Sequence, residues 1–233
     1  MTDHRNNKAN ALLQQNQRYQ SGRLTIFLGA APGVGKTFAM LVRAHDLALQ
    51  GADIIIGYVE THGRIETANL IAGLSIIPRK KIEYQGLHLE EMDLDAILEK
   101  KPKIVLVDEF AHTNMPGSRH EKRWQDINEL LDAGIDVFTT MNIQHLESLN
   151  DVVFQITGIR VNETVPDRVF ERIRDIRLID LPVNELLERL NQGKVYVPEL
   201  AEQALQRFFN HSNLTVFREF AMQSVASHVD ANV

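Results

Sequence analysis

The chain contains no cysteine. Disulfides, thiolate metal sites and cysteine nucleophiles are therefore excluded. Basic residues are outnumbered, 25 Lys and Arg against 31 Asp and Glu, which leaves a net charge of −6. Non-specific binding to nucleic acid has no broad electrostatic support at that balance, and no nucleic-acid partner is expected. No apolar run approaches the length that crosses a bilayer. The first 20 residues are polar, rich in Asn and Gln, and have no hydrophobic segment of the kind a secretory signal needs. They read as a loose tail ahead of the fold. These absences fit a cytoplasmic setting.

What is present is an alternation of apolar runs and amphipathic stretches. Buried-strand runs are expected at Leu24 to Leu28, Ile54 to Val59, Ile104 to Val107 and Ile135 to Thr140, with a shorter one at Ile82 to Tyr84. Helical spacing marks Phe38 to Leu49, Arg64 to Leu74, Asp93 to Lys100 and Trp124 to Leu131. Strand alternating with helix predicts an α/β fold with a mainly parallel sheet covered on both faces. The expected architecture is a three-layer P-loop NTPase of RecA-like type. Residues 1–20 are read as the tail, 21–160 as the core, and 161–233 as a mostly helical extension packed on it. A further strand is expected at Ile176 to Leu181 and a helix from Val183 to Leu190.

The segment from Gly29 to Thr37 reads GAAPGVGKT, between the first strand and the first helix. That setting is the one a phosphate-binding loop requires. Glycines let main-chain N–H groups turn onto phosphates, and the following helix adds its positive end. Gly33, Val34, Gly35, Lys36 and Thr37 are the expected nucleotide contacts. Lys36 can reach the outer phosphates, and the Thr37 hydroxyl can ligate Mg²⁺. One departure stands out: Ala30 occupies the position that opens the usual pattern, and Gly29 precedes it by one residue.

The run Ile104 to Val107 ends in Asp108 and Glu109. Asp108 is the expected second Mg²⁺ contact, and Glu109 is a candidate to polarise an attacking water. The plainer alternative is that two acids merely end a strand. Polar clusters also follow other strands: Glu60 to Arg64, Ala111 to Asn114, and Thr139 to His145. Strand ends of this kind are where ligands sit in doubly wound sheets. Glu60 is a second candidate for water activation, and Asn142 or Gln144 for sensing the terminal phosphate. His62, His112 and His145 have no metal-ligand spacing. Ser118 to Arg123 reads as a solvated mixed-charge run, and Trp124 as a core anchor.

Beyond the loop, the strings Gly57 to Arg64, Leu106 to Glu109, Ala111 to Asn114, Pro116 to His120, Lys122 to Asp126, Asn142 to Asn150, Glu163 to Asp167, Gly193 to Tyr196 and Asn213 to Thr215 are distinctive together. With them the chain resembles the N-terminal cytoplasmic domain of the osmosensitive potassium-channel sensor histidine kinases, the KdpD family. The resemblance covers roughly residues 21 to 230. It implies ATP as the ligand, with Gly33, Gly35, Lys36, Thr37 and Asp108 matching the family's nucleotide motifs. It also implies partners: the remainder of the sensor kinase and the response regulator KdpE, whose phosphorylation balance and potassium-pump output the domain modulates. This chain has no membrane span and no phospho-accepting kinase core of its own. The resemblance therefore transfers as regulation rather than as histidine-kinase catalysis. A stand-alone P-loop ATPase or a small-molecule kinase is the alternative, and a homodimer is left open.

Overall fold

Every residue of β1 (Leu24–Gly29) is buried. A strand with both faces buried needs cover on both sides, and the sheet around it is built that way. The computed structural model describes residues 21–170, 172–192 and 207–231. Within them, β1, β2 (Ile54–Tyr58), β3 (Ser75–Ile76), β6 (Ile104–Val107), β7 (Asp136–Asn142) and β8 (Ile173–Ile179) form one sheet in the order β3-β2-β6-β7-β1-β8. Every pairing in it is parallel. Ile26 and Leu28 face one apolar core, and Phe27 faces the other. The Phe27 side is covered by α1 (Lys36–Leu49) through Met40, Leu41 and Ala44. The opposite side is covered by α4 (Arg123–Asp132), with α8 (His211–Ala231) adding Leu214, Phe217 and Ala221. The expected mainly parallel α/β sheet with helices on both faces is thus the observed one.

The remaining helices are α2 (Ile65–Asn69), α3 (Leu94–Lys100), α5 (Asn150–Thr157), α6 (Asp167–Phe170) and α7 (Val183–Asn191). Asp93 caps α3, its carboxylate accepting from the Ala96 amide at 3.0 Å. Among the described residues no helix is long and apolar enough to cross a membrane. The expected tail at 1–20 lies outside the described residues, as does the stretch 193–206.

Two local expectations differ from the structure. Ile82 to Tyr84 belongs to β4 (Lys80–Tyr84), which pairs antiparallel with β5 (Leu87–Glu91) in a separate hairpin. The turn holds Gln85 at φ +50° and Gly86 at φ +77°, the backbone that a two-residue hairpin loop requires. The sheet takes Ser75–Ile76 as its edge instead. The helix expected from Arg64 to Leu74 is shorter, α2 (Ile65–Asn69), and turns follow it, with the Leu70 amide donating to the Thr67 carbonyl at 3.1 Å.

Because all six strands run the same way, their carboxyl ends open on one edge. The loops after β1, β2, β6 and β7 meet there, and that edge is where open α/β sheets place ligands.

Candidate functional site

The loop from β1 to α1 turns on three glycines. A Cβ on Gly29 would lie 2.6 Å from Val34 Cγ2 and 3.2 Å from Lys36 Cδ, so the loop can fold back on the strand end only without one. Gly33 and Gly35 sit at φ +90° and +99°, a region glycine enters without the usual steric cost. Ala30 is buried at the start of the turn, where its methyl group is accommodated. Gly35 is also the N-cap of α1 and supplies no side-chain cap, and the first turn carries no acid. Among the described residues, no protein acceptor takes the N–H of Gly33, Val34, Gly35 or Lys36. A helix start left in this state attracts negative charge.

Lys36 is buried and donates from Nζ to the Ala31 carbonyl at 3.0 Å. Burial pushes its pKa down to about 8, while Asp108 pulls in the other direction. The ammonium lines the same cleft as Pro32, Gly33 and Thr37.

Asp108 is 1% exposed at the end of β6. Its carboxylate accepts from Thr37 Oγ1 at 3.1 Å, from the Glu60 amide at 3.3 Å and from the Glu109 amide at 3.2 Å. Thr140 Oγ1, from β7, makes a further short contact with it. Burial raises the Asp108 pKa, and these neutral donors oppose the rise. The Thr37 hydroxyl and the Asp108 carboxylate together make an oxygen pair of the kind hard divalent cations take.

Glu109 follows at φ +61°. Its side chain faces His62 Nε2 at 3.4 Å, Arg123 Nη1 at 3.5 Å and His112 Nδ1 at 4.0 Å. Burial alone would raise its pKa, but His62 and Arg123 outweigh that and lower it. Arg123 is fully buried. It donates to the Asp108 carbonyl at 3.2 Å and to Glu91 Oε1 at 2.5 Å. Its guanidinium lies 3.9 Å from the centre of the Tyr58 ring, whose environment also includes Arg79 at 4.4 Å.

Lys36, Thr37, Asp108, Glu109, His62 and His112 line a cleft of about 300 Å³ that also takes in Arg64, Asn142, His145 and Glu163. All three candidate histidines reach it, yet among the described residues no group of three or more acids and histidines is placed to hold a metal by itself. His145 is tied by Nδ1 to the Glu163 carbonyl at 2.7 Å. Asn142 Oδ1 and Gln144 Oε1 are buried without a hydrogen-bond partner. Glu60 behaves differently: its backbone amide reaches Asp108, while its carboxylate pairs with Arg79 at 3.1 Å. The mixed-charge run splits, with Arg119 on the surface beside Glu129 and Arg123 in the interior. Sequence reading missed Arg123, Glu91 and Arg79 as parts of this network. The signal available for Arg123 was its place one turn before Ile127 on the buried face of an amphipathic helix.

A family model described as the KdpD osmosensitive K⁺ channel His kinase sensor domain matches residues 20–229. The sensor protein KdpD of Escherichia coli (strain K12) is 54% identical over 219 residues, which is 94% of this chain and 24% of that protein. The sensor protein KdpD of Clostridium acetobutylicum is 48% identical over 224 residues, 96% of this chain and 25% of that protein. A putative sensor protein KdpD of Synechocystis is 48% identical over 214 residues, 92% of this chain and 58% of that protein. The chain thus spans about a quarter of the first two relatives' length.

Proposed function

The chain belongs to the KdpD family of osmosensitive K⁺ channel sensor domains, and we propose that it is the family's ATP-binding regulatory module, with Mg²⁺ accompanying the nucleotide. The observation that carries the reading is the set of uncommitted amides from Gly33 to Lys36, beside the Lys36 ammonium and the Thr37–Asp108 oxygen pair. Such a cradle suits a polyphosphate. The resemblance supplies adenine as the base.

In this reading Gly33, Val34, Gly35 and Lys36 bind phosphate oxygens through main-chain N–H groups. Lys36 exchanges its bond to Ala31 for a phosphate oxygen. Thr37 and Asp108 hold the cation, which supplies charge neutralisation between phosphates. Asn142, whose Oδ1 lacks a partner beside the cleft, is the residue proposed to report on the terminal phosphate. Glu109 is the acid proposed to face water. The regulatory role is proposed on the family: nucleotide state in this domain biases the parent sensor's kinase and phosphatase activities toward its response regulator, KdpE.

Lys36→Ala tests the site. Charge-assisted bonds of this type contribute about 2 kcal/mol, so ATP affinity measured by calorimetry should drop by about thirtyfold or more. The circular dichroism spectrum should be unchanged. Unaltered ATP binding in a folded Lys36→Ala variant would refute the assignment.

A further inference from the structure

We propose that His62 and Arg123 are positioning residues that restrain the Glu109 carboxylate from turning to accept a proton, so that the site keeps ATP while turning it over slowly. This rests on the ATP reading above. Each oxygen of Glu109 faces a nitrogen, and the side chain is 34% exposed. His62 Nε2 faces Oε1 at 3.4 Å, and Arg123 Nη1 faces Oε2 at 3.5 Å. His112 Nδ1 stands 4.0 Å from Oε2 as well. A base must come within hydrogen-bond reach of the proton it takes, and a carboxylate tied at both ends has little freedom to do so.

The backbone supports a held state. Glu109 lies at φ +61° and His62 at φ +49°, both in the left-handed region that side-chain-bearing residues adopt at a cost. Two such residues, from different strand-end loops, meet through their side chains. His62 and Gly63 (φ +73°) form a tight turn closed by the Arg64 amide on the Thr61 carbonyl at 3.0 Å, and the Glu109 carbonyl accepts from the His112 amide at 3.0 Å, so backbone hydrogen bonds fix where the two side chains meet.

The two ties are unequal. Arg123 is fully buried and is itself fixed by Glu91 and by the Asp108 carbonyl. The His62 side chain is 40% exposed and sits in the loop after β2. His62 is therefore the contact that can open without disturbing the core. The step it restrains is attack of water on the terminal phosphorus. A new P–O bond forms from water, the bond to the bridging oxygen breaks, and ADP leaves with that electron pair. One water proton passes to Glu109.

The test uses the full chain with ATP and three variants. Glu109→Gln should lower kcat about a hundredfold while the ATP Kd stays within about twofold. His62→Ala should raise kcat about tenfold at unchanged KM, the mark of an effect confined to the chemical step. The double variant should match Glu109→Gln alone. Apart from activity, the His62 imidazole nitrogen resonance in the nucleotide-free protein should move on Glu109→Gln. A His62→Ala variant that binds ATP but turns over no faster overturns the proposal. So does a double variant as fast as His62→Ala, or a His62 resonance indifferent to Glu109. Loss of the underlying ATP reading is recognised separately, by Lys36→Ala retaining nucleotide.

Discussion

Asp108 and Glu91 are both buried acids, 1% and 2% exposed, and both lie in the network around Arg123, yet they are held in opposite ways. Burial tends to raise the Glu91 pKa, but the His112 ring, Arg123 and the Met92 amide outweigh it and hold the group at about 2. Glu91 Oε1 takes Arg123 and the Met92 amide, and Oε2 takes His112 Nε2 at 3.2 Å and the Met115 amide at 3.2 Å. Its charge is matched. Asp108 accepts from two hydroxyls and two amides, all neutral, and its pKa is raised by burial. A carboxylate in that state still favours a cation. The first acid closes the interior of the fold, and the second leaves an interaction to be completed at the cleft.

The largest way to break this contrast is Glu91→Gln. Removing the nearer partner of a buried pair leaves Arg123 with only Glu109, at 3.5 Å, and the expected cost is about 3 kcal/mol in urea unfolding. The pH dependence has a definite sign. Glu91 is held at about 2 in the folded protein, well below the 4.5 of an ordinary glutamate. Its stabilisation is therefore fully present above the unfolded value and is lost as pH falls toward the folded one. The wild type should lose this contribution across that acid window, and the glutamine variant should not show it. Equal acid sensitivity in the two proteins would mean that Glu91 does not carry the pair.

Asp108→Asn should behave in reverse, with a smaller effect on the fold and a larger one on the ligand. The amide forfeits some accepted bonds, at about 1–2 kcal/mol, less than the glutamine swap at Glu91. ATP titrated with and without magnesium should then give the same affinity, whereas the wild type should bind more tightly with the metal. A persistent magnesium effect in Asp108→Asn would move the cation elsewhere.

The same contrast explains what the sequence made legible. The turn from Gly33 to Thr37 could be read directly because it is contiguous, and Gly33 and Gly35 adopt the positive φ that the local string records. Ile104 to Asp108 was legible because a fully buried parallel strand is one unbroken apolar run, here ending in an acid at the carboxyl edge of the sheet. Gly29 could be seen, but its reason, the close approach of Val34 and Lys36, belongs to three dimensions. Arg123 was misread because its burial depends on Glu91, 32 positions away on a hairpin strand. That strand was itself hidden, since Gln85-Gly86 is a weaker turn signal than Asn-Gly, although it adopts the same left-handed pair of angles. The contacts that tie Glu109 are also nonlocal: His62 comes from the loop after β2 and Arg123 from the start of α4.

The smallest expected effect concerns Glu60, the third acid near the site and a sequence candidate for water activation. Its carboxylate pairs with Arg79 at 3.1 Å, with both side chains 31% exposed. A half-exposed pair of this kind contributes roughly 1 kcal/mol or less. The cleft wall is formed by Glu109, and Glu60 contributes to Asp108 through its amide, which every side chain at that position would retain. Glu60→Gln should therefore leave the magnesium dependence of ATP binding unaltered and shift the unfolding midpoint only slightly. Single-turnover ATP hydrolysis compared between Glu60→Gln and Glu109→Gln separates the two acids. A collapse in the Glu60 variant with no change in the Glu109 variant would transfer the water-facing role to Glu60. It would also require the Arg79 pair to open before chemistry, because a carboxylate engaged by that guanidinium is not free to accept a proton from water.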